Sequence, residues 1–217
     1  VVIQVTDGAN TDTITVTVNV QDVNEFSPEF GDGDTATATP NENQQAVGTY
    51  AATDADGTAT QTYSILTAAQ NAASVDHDLF SVAGGGVLTF QASPNYEDAG
   101  CGAGDNSNTC AVVIQVTDGA NTDTITVTVT VQDLNDETPA FTSSGTPSIN
   151  ENVRNVLTLA ASDGDSGDSV TFAITGGADS ELFEIDGGTT LRFAAAAGAN
   201  YESPGDAGTN NEYVVVV

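Results

Sequence analysis

The chain contains 217 residues, of which 31 are Asp or Glu and only two, Arg154 and Arg192, are basic, so its net charge is −29 at neutral pH. Nucleic acids and anionic membranes are bound through clustered Lys and Arg, so this composition excludes both as partners. Hydrophobic residues make up 39% of the chain, which is enough to bury a core. No apolar run is long enough to predict a transmembrane helix, and the absence of Met suggests a segment of a longer protein.

An internal repeat dominates the sequence. The segment VVIQVTDGANTDTITVTV occupies 1–18 and returns unchanged at 112–129, an offset of 112 − 1 = 111 residues. A third, more diverged copy is visible because NENQQAVGTYAATDADG at 41–57 resembles NENVRNVLTLAASDGDSG at 150–167. Such self-similarity predicts a tandem array. We expect the C-terminal strands of one repeat at 1–25, a complete repeat at 26–136 and a third repeat, lacking its last strand, at 137–217. The terminal YVVVV aligns Val214 with Val112.

Each repeat is predicted to consist of short β-strands. Residues 1–22 form a hairpin in this prediction, and no segment has a helical pattern of useful length. The segment ITVTVTV at 125–131 alternates strictly, which is the period-two signal of a half-exposed strand. Asp-Gly and Gly-Gly-Gly turns separate the strands at intervals typical of a β-sandwich. In the complete repeat the predicted strands are 34–39, 46–53, 60–66, 78–83, 87–91, 111–117 and 123–132.

The acidic residues are concentrated in short clusters at the ends of the predicted strands. Asp54 and Asp56 form an Asp-x-Asp pair, and 133–136 reads Asp-x-Asn-Asp. Calcium binds six to eight oxygen ligands, drawn from carboxylates, amides and backbone carbonyls. Side chains at i and i+2 of an extended segment project to one side, so both clusters supply that mixture. Carboxylates without basic neighbours repel one another. We therefore interpret these clusters as calcium ligands rather than as solubilising surface charge.

These motifs resemble those of the cadherin repeat, a seven-stranded Greek-key sandwich whose tandem copies are joined by calcium. The inter-repeat motif DxNDN of that family is similar to 22–26 and 133–137, each of which is followed by Pro and Phe. The family's early Glu resembles Glu42 and Glu151. Its DxD motif resembles 54–56 and 163–165, and its DxE motif resembles 95–97 and 200–202. Its AxDxG motif resembles the Thr-Asp-Gly segments at Asp7 and Asp118. The resemblance covers the whole chain and implies an all-β fold of tandem seven-stranded Greek-key cadherin-like sandwiches.

The resemblance also implies calcium sites at the junctions between repeats. The implied ligands of the first junction are Asp22, Asn24, Glu25, Asp54, Asp56 and Asp118. The implied ligands of the second junction are Glu42, Glu97, Asp133, Asn135, Asp136, Asp163 and Asp165. A third junction is represented only by Glu151 and Glu202. The chain departs from the family pattern where Asn95 and Asn200 replace an Asp, and where Phe26 and Glu137 replace an Asn.

The only two cysteines, Cys101 and Cys110, flank a loop rich in Asp, Asn and Gly. We expect a disulfide between them, with free thiols as the alternative, because the repeat is typical of oxidising extracellular compartments. The matching loop of the third repeat contains no Cys, so such a bridge is not essential to the fold. No Ser-His-Asp set and no nucleophile elbow is present, and calcium accounts for the paired carboxylates, so we do not expect an enzyme.

Three functions are compatible with the sequence. The leading hypothesis is a calcium-rigidified structural segment of a long extracellular surface filament or adhesin, of a bacterial type, whose partners are adjacent repeats or further copies. The absence of Trp excludes the Trp exchange by which classical animal cadherins adhere. The second hypothesis is a fibre subunit joined by strand complementation, because the hairpin and the incomplete third repeat each lack a complement. The third is a module that binds polysaccharide or other cell-surface glycans or proteins.

Overall fold

The computed structural model describes residues 1–56, 60–98, 101, 107–165 and 167–217. Val1–Gln132 form one compact unit, unit 1, and Asp133–Val217 form a second, unit 2. Within the described residues, the helical segments are two short 3₁₀ helices, His77–Leu79 and Ser180–Leu182. Neither is long and apolar enough to cross a membrane. The predicted all-β fold is confirmed.

Unit 1 begins with a hairpin of β1 (Val2–Thr6) and β2 (Thr11–Thr15) and continues into a β-sandwich. The sandwich strands are β3 (Glu29–Phe30), β4 (Thr35–Ala38), β5 (Ala46–Thr49), β6 (Ala52–Thr53), β7 (Thr62–Ile65), β8 (Phe80–Ala83), β9 (Val87–Phe90), β10 (Thr109–Thr117) and β11 (Thr122–Thr130). One sheet has the order β4-β11-β10-β7, the other has the order β5-β9-β8, and β3 pairs with β6. β3 and β4 are consecutive segments of one interrupted strand, and so are β5 and β6. Counted in this way, the sandwich has seven strands, as predicted.

The alternating sequence of β11 explains how the two sheets pack. Ile125, Val127 and Val129 are fully buried in one core with Leu88 and Phe90 of the opposite sheet, whereas the intervening Thr residues are half-buried. Successive side chains of a strand point to opposite faces, so one face of β11 enters the core and the other remains polar. The first and last sandwich strands meet because β11 pairs in parallel with β4.

The predicted strand 46–53 is interrupted between β5 and β6. Gly86, in the turn between β8 and β9, accepts a hydrogen bond from the Tyr50 N–H through its carbonyl oxygen (2.8 Å). Gly86 has φ +77°, and a Cβ at this position would overlap the Tyr50 carbonyl. This close approach of two backbones depends on glycine.

The sequence did not predict strand β3, because a strand of two residues carries no periodic signal.

Unit 2 repeats one sheet of unit 1. Its strands are β12 (Ala140–Phe141), β13 (Asn155–Thr158), β14 (Ala161–Ser162), β15 (Phe183–Asp186) and β16 (Thr190–Phe193). The β13-β16-β15 sheet matches β5-β9-β8, and the β12-β14 pair matches β3-β6. Leu159, Phe183, Leu191 and Phe193 form its core. Within the described residues of unit 2, no strand occupies the positions of β4 and β11.

The end of the chain lies one residue away from its predicted alignment. The Val216 carbonyl accepts a hydrogen bond from Thr175 N–H (2.8 Å), just as the Val113 carbonyl accepts one from Leu66 N–H (2.9 Å). Val214 therefore corresponds to Ala111 rather than to Val112. A run of four identical valines contains no landmark that fixes its register, which is why the sequence alignment slipped.

Cys101 and Cys110 form a disulfide. Both residues are buried in the core of unit 1, and residues 102–106 of the loop between them lie outside the described residues. The bridge therefore also fills space in the sandwich.

Candidate metal centres

Three oxygen-bearing side chains converge in unit 1, beside the segment that links the hairpin to the sandwich. The terminal amide of Asn24 lies 3.2 Å from Asp56 Oδ2 and 3.0 Å from Asp118 Oδ2, with its NH₂ group donating to both carboxylates. These residues come from three separate parts of the sequence, and all three belong to the predicted first junction. We refer to Asn24, Asp54, Asp56 and Asp118 as the first-junction cluster.

Local hydrogen bonds fix Asp56 beside the linking segment. Asp56 follows β6, and its Oδ2 accepts a hydrogen bond from the Phe26 N–H (2.7 Å). Its own N–H donates to Asp54 Oδ1 (2.8 Å), which closes the turn of the Asp-x-Asp motif. The motif therefore directs the Asp56 carboxylate towards the linking segment, and one oxygen of the Asp54 carboxylate stabilises the turn.

Asp118 lies in the turn between β10 and β11. Its Oδ1 accepts hydrogen bonds from Asn121 N–H (2.6 Å) and Ala120 N–H (2.7 Å), which leaves Oδ2 directed towards Asn24. These N–H groups, with the bond from Asn121 having the largest effect, lower the pKa of Asp118 because they stabilise its charged form. Asp118 is therefore anionic at neutral pH.

Sequence reasoning missed Asn121. Its side-chain amide donates to the Phe26 carbonyl (2.8 Å), so it ties the linking segment to the β10–β11 turn. Asn121 belongs to the repeated DGAN turn, of which only the Asp and Gly fall within the segment that resembles a family motif. The other predicted first-junction residues, Asp22 and Glu25, lie exposed in the linking segment.

One carboxylate oxygen of the cluster suits a cation. Asp54 Oδ2 is buried and accepts no hydrogen bond from the described residues. Buried polar atoms nearly always have a partner, and a carboxylate oxygen can take only a donor or a cation. By sequence, no Lys or Arg precedes Arg154, so neither of these side chains is present in unit 1 to neutralise the carboxylate. The donor set is made of oxygen atoms, which fits a hard cation such as calcium.

Unit 2 contains the same local arrangement at a predicted second-junction site. Asp165 Oδ2 accepts a hydrogen bond from Glu137 N–H (3.0 Å), and Asp165 N–H donates to Asp163 Oδ1 (3.0 Å). Asp165 Oδ1 is buried and, among the described residues, has no hydrogen-bond donor. Burial has the largest effect on the Asp165 carboxyl and raises its pKa, because the charged form loses solvation. A cation at this carboxylate would offset that cost.

A second acidic group lies at the other end of unit 1. Glu42 is buried, and its Oε2 accepts a hydrogen bond from Tyr96 N–H (2.7 Å). The backbone N–H of Glu42 donates to the carbonyl of Gln132 (3.0 Å), the residue covalently joined to the predicted ligand Asp133. Carboxylate oxygens of Glu42 and Glu97 lie within 4.8 Å of each other. Two predicted second-junction ligands are therefore adjacent within unit 1.

The remaining predicted ligands lie in unit 2. Asp133 is half-buried, whereas Asn135 and Asp136 are exposed, and carboxylate oxygens of Asp136 and Glu137 lie within 4.8 Å of each other. Glu151 Oε2 accepts a hydrogen bond from Tyr201 N–H (3.1 Å), which repeats the contact of Glu42. Glu151 and Glu202, the predicted third-junction residues, are both exposed.

No protein-family model matches the chain, and no curated protein matches its sequence. Solved structures with the same fold do match. The human desmocollin-1 ectodomain aligns with a TM-score of 0.59 and 23% identity over 84% of this chain and 36% of that one. Mouse protocadherin-24 EC1-3 aligns with a TM-score of 0.57 and 21% identity, covering 93% and 66% of the two chains. Mouse cadherin-23 EC22-24 aligns with a TM-score of 0.54 and 19% identity over 87% of this chain and 60% of that one. The chain therefore spans between about a third and two thirds of these proteins, and its fold is cadherin-like.

Proposed function

We propose that this chain, whose fold is cadherin-like, is a calcium-rigidified structural segment of a long extracellular surface filament or adhesin of a bacterial type. In this proposal, residues 1–25 end one repeat, 26–136 form a complete repeat and 137–217 belong to a third. Calcium bound at each junction holds successive repeats together. The solved structures of similar fold include an ectodomain and extracellular cadherin domains, which supports an extracellular role.

The first-junction cluster is the observation that carries this proposal. Asp56 and Asp118 converge on Asn24, and Asp54 Oδ2 is buried and accepts no hydrogen bond from the described residues. In the absence of a cation, the like charges of these carboxylates oppose their convergence. Calcium supplies the positive charge that makes the arrangement favourable and takes oxygen ligands from both sides of the linking segment.

In this mechanism, the sandwich holds the linking segment in place through hydrogen bonds to Phe26. Asp56 accepts the Phe26 N–H, and the Asn121 amide donates to the Phe26 carbonyl, so both polar groups of one linker residue are bound to the sandwich. Asn24 donates its NH₂ group to Asp56 and Asp118, and reversing its terminal amide would direct its oxygen at a cation bound between them. Fixing this segment converts a flexible connection into a stiff one.

Calcium titration of the intact chain, followed by calorimetry and thermal unfolding, tests the proposal. We expect unfolding to occur at a higher temperature in excess calcium than in excess chelator, because a ligand bound only by the folded state stabilises it, by about 2.7 kcal/mol per site at a hundredfold excess over Kd. Equal melting curves in calcium and in chelator would refute the calcium proposal.

The chain contains its own matched control. Asp7 belongs to the first copy of the DGAN turn and accepts the same two backbone hydrogen bonds as Asp118, from Ala9 (2.9 Å) and Asn10 (2.7 Å), yet it is exposed. Asp118→Asn should therefore weaken calcium binding at the first junction, whereas Asp7→Asn should leave it unchanged. Equal effects of the two substitutions would show that the DGAN turn, and not the first-junction cluster, determines the response.

A further inference from the structure

The segment 94–98 of unit 1 carries Glu97, a predicted calcium ligand, although none of its residues belongs to a strand. Two hydrogen bonds of Tyr96 attach this segment to the sandwich. The Tyr96 N–H donates to Glu42 Oε2 (2.7 Å), and the Tyr96 carbonyl accepts a bond from the side-chain amide of Asn108 (2.9 Å). Because Glu97 is the next residue, the position of its carboxylate depends on how firmly the segment is held.

The disulfide between Cys101 and Cys110 provides a covalent attachment close to this segment. Cys110 lies in β10 and is fully buried, and Cys101 is 3% exposed. Along the chain, Glu97 is four residues from Cys101 but twelve from Thr109, where β10 begins (101 − 97 = 4 and 109 − 97 = 12). Four extended residues reach at most about 14 Å, whereas twelve reach about 43 Å. The bridge therefore restricts the positions that Glu97 can take.

Unit 2 fastens its matching loop without a disulfide. The Tyr201 carbonyl accepts a bond from the side-chain amide of Asn211 (3.1 Å), which repeats the bond found in unit 1. The buried Asp179 accepts the Ala207 N–H of the loop (2.6 Å) and also the Val214 N–H (2.7 Å), so it ties the loop to the sandwich. The loop after the Tyr is thus anchored in both units, by hydrogen bonds in unit 2 and by a covalent bond in unit 1.

We infer that the Cys101–Cys110 disulfide positions Glu97 for calcium at the second junction. The inference rests on the proposed function, because it requires calcium at this site. Glu42 is 1% exposed, and carboxylate oxygens of Glu42 and Glu97 lie within 4.8 Å of each other, which suits a hard cation.

The bridge acts on the state that precedes calcium binding. The like charges of Glu42 and Glu97 repel each other, so a loosely held segment would move Glu97 away from Glu42 when no cation is bound. A segment that is already fixed loses less conformational freedom when calcium binds, and this raises the affinity. Cys101 and Cys110 are therefore positioning residues, which act on calcium through Glu97.

The expected effect is a change in calcium affinity at one junction. Groups that orient a metal ligand without contacting the metal commonly change metal affinity by about 10- to 100-fold. We expect the double variant Cys101→Ser, Cys110→Ser, called here the bridge-free variant, to bind calcium at the second junction about tenfold or more weakly. Calcium affinity at the first junction should be unchanged, because its ligands come from other segments of the chain.

Calorimetric titration of the 217-residue chain with calcium chloride tests the inference, at a temperature where circular dichroism shows every variant to be folded. The part of the titration that Glu97→Gln weakens is assigned to the second junction, and the part that Asp118→Asn weakens is assigned to the first. If both junctions lost affinity equally in the bridge-free variant, the inference would be overturned.

A double-mutant cycle separates positioning from a general structural role. Gln at position 97 keeps an amide oxygen that can still bind calcium, although more weakly. Because the bridge acts through Glu97, its removal should weaken calcium binding less in the Glu97→Gln background than in the unmodified chain. Equal losses in the two backgrounds would contradict a role that depends on Glu97.

Ile125→Ala is the matched control for loss of stability. Ile125 is fully buried and pairs with Ile114, which lies four residues beyond Cys110 in β10. Its truncation is expected to destabilise unit 1 at least as much as loss of the bridge does. It should nevertheless leave calcium affinity at the second junction unchanged. Equal weakening by Ile125→Ala and by loss of the bridge would attribute the effect to stability and overturn the inference.

Amide hydrogen exchange in chelator gives a readout that does not require calcium. The Tyr96 N–H is bonded to Glu42 and should exchange faster in the bridge-free variant, relative to the amides of β10 in the same protein, than in the unmodified or Ile125→Ala chain. Unchanged exchange at Tyr96 would overturn the inference.

The titration also distinguishes failure of the inference from failure of the proposed function. Equal calcium binding with and without the bridge would overturn the inference and leave the proposed function standing. A chain that binds no calcium in either form would overturn both.

Discussion

Ile14→Ala and Ile125→Ala remove the same atoms from the same 18-residue sequence and differ only in surroundings. Ile125 is fully buried between the two sheets of unit 1, whereas Ile14 is largely exposed. Truncation of a buried Ile to Ala costs about 2–5 kcal/mol, because transfer free energy is lost and a cavity remains. Surface substitutions usually change stability by less than about 0.5 kcal/mol. We therefore expect a difference of about 2 kcal/mol or more between the two variants.

Urea unfolding followed by far-ultraviolet circular dichroism measures this difference. Dilute protein in chelator is required, so that calcium does not change the folded state. The two units can unfold separately, so the transition midpoint of unit 1, assigned with Ile125→Ala, is the quantity to compare. If Ile14→Ala shifted that midpoint as far as Ile125→Ala, the hairpin would be packed in dilute solution and our account of its exposed face would be wrong.

Three further predictions concern backbone, covalent and charge effects. Gly86→Ala should destabilise unit 1 far more than Gly85→Ala in thermal unfolding, because both residues have positive φ but only a Cβ at Gly86 overlaps another backbone. Equal losses would contradict this. Substituting Ser for both Cys101 and Cys110 should cost unit 1 about 2–3 kcal/mol in urea unfolding and leave unit 2 unchanged. A loss of stability in both units would contradict this prediction. Asp165→Asn should be neutral or stabilising in chelator, because burial raises the Asp165 pKa and disfavours the native carboxylate, but it should reduce the gain from calcium. A large loss in chelator would refute that reasoning.

The strands of unit 1 could be predicted because their signals are local. β11 alternates between buried and half-buried residues from Ile125 onwards, β10 is rich in β-branched residues, and a Gly-Gly-Gly turn separates β8 from β9. The break at Tyr50 could not be predicted, because it depends on a contact with Gly86, which is distant in sequence. In unit 2, residues 170–175 carry a strand pattern similar to that of β7 but form no ladder. Pairing of such a segment depends on the neighbouring strands, which the local sequence does not report.

The candidate site could be located from the sequence, but its internal geometry could not. The Asp-x-Asp, Asp-x-Asn and Thr-Asp-Gly segments, through their resemblance to motifs of the cadherin repeat, predicted Asp56, Asn24 and Asp118 as ligands. The roles of the individual oxygen atoms depend on backbone N–H groups from other segments, such as that of Phe26. Asn121 was missed because a turn residue with a local role gives no sign that its side chain also reaches the linking segment.

The distribution of the two arginines bears on the source of neutralising charge at the junctions. Arg154 and Arg192 both bind Glu184 (2.7 Å each), and Arg192 also binds Asp186. These ion pairs lie on one sheet of unit 2 and are partly exposed, so each contributes little to stability. Both Arg side chains of the chain therefore form ion pairs on this sheet of unit 2. The first-junction carboxylates lie in unit 1, which contains no Lys or Arg. Carboxylates without a Lys or Arg in the same unit are expected to attract cations from their surroundings. We therefore expect the stiffness of the linking segment to depend on divalent ion concentration, as the proposed function requires.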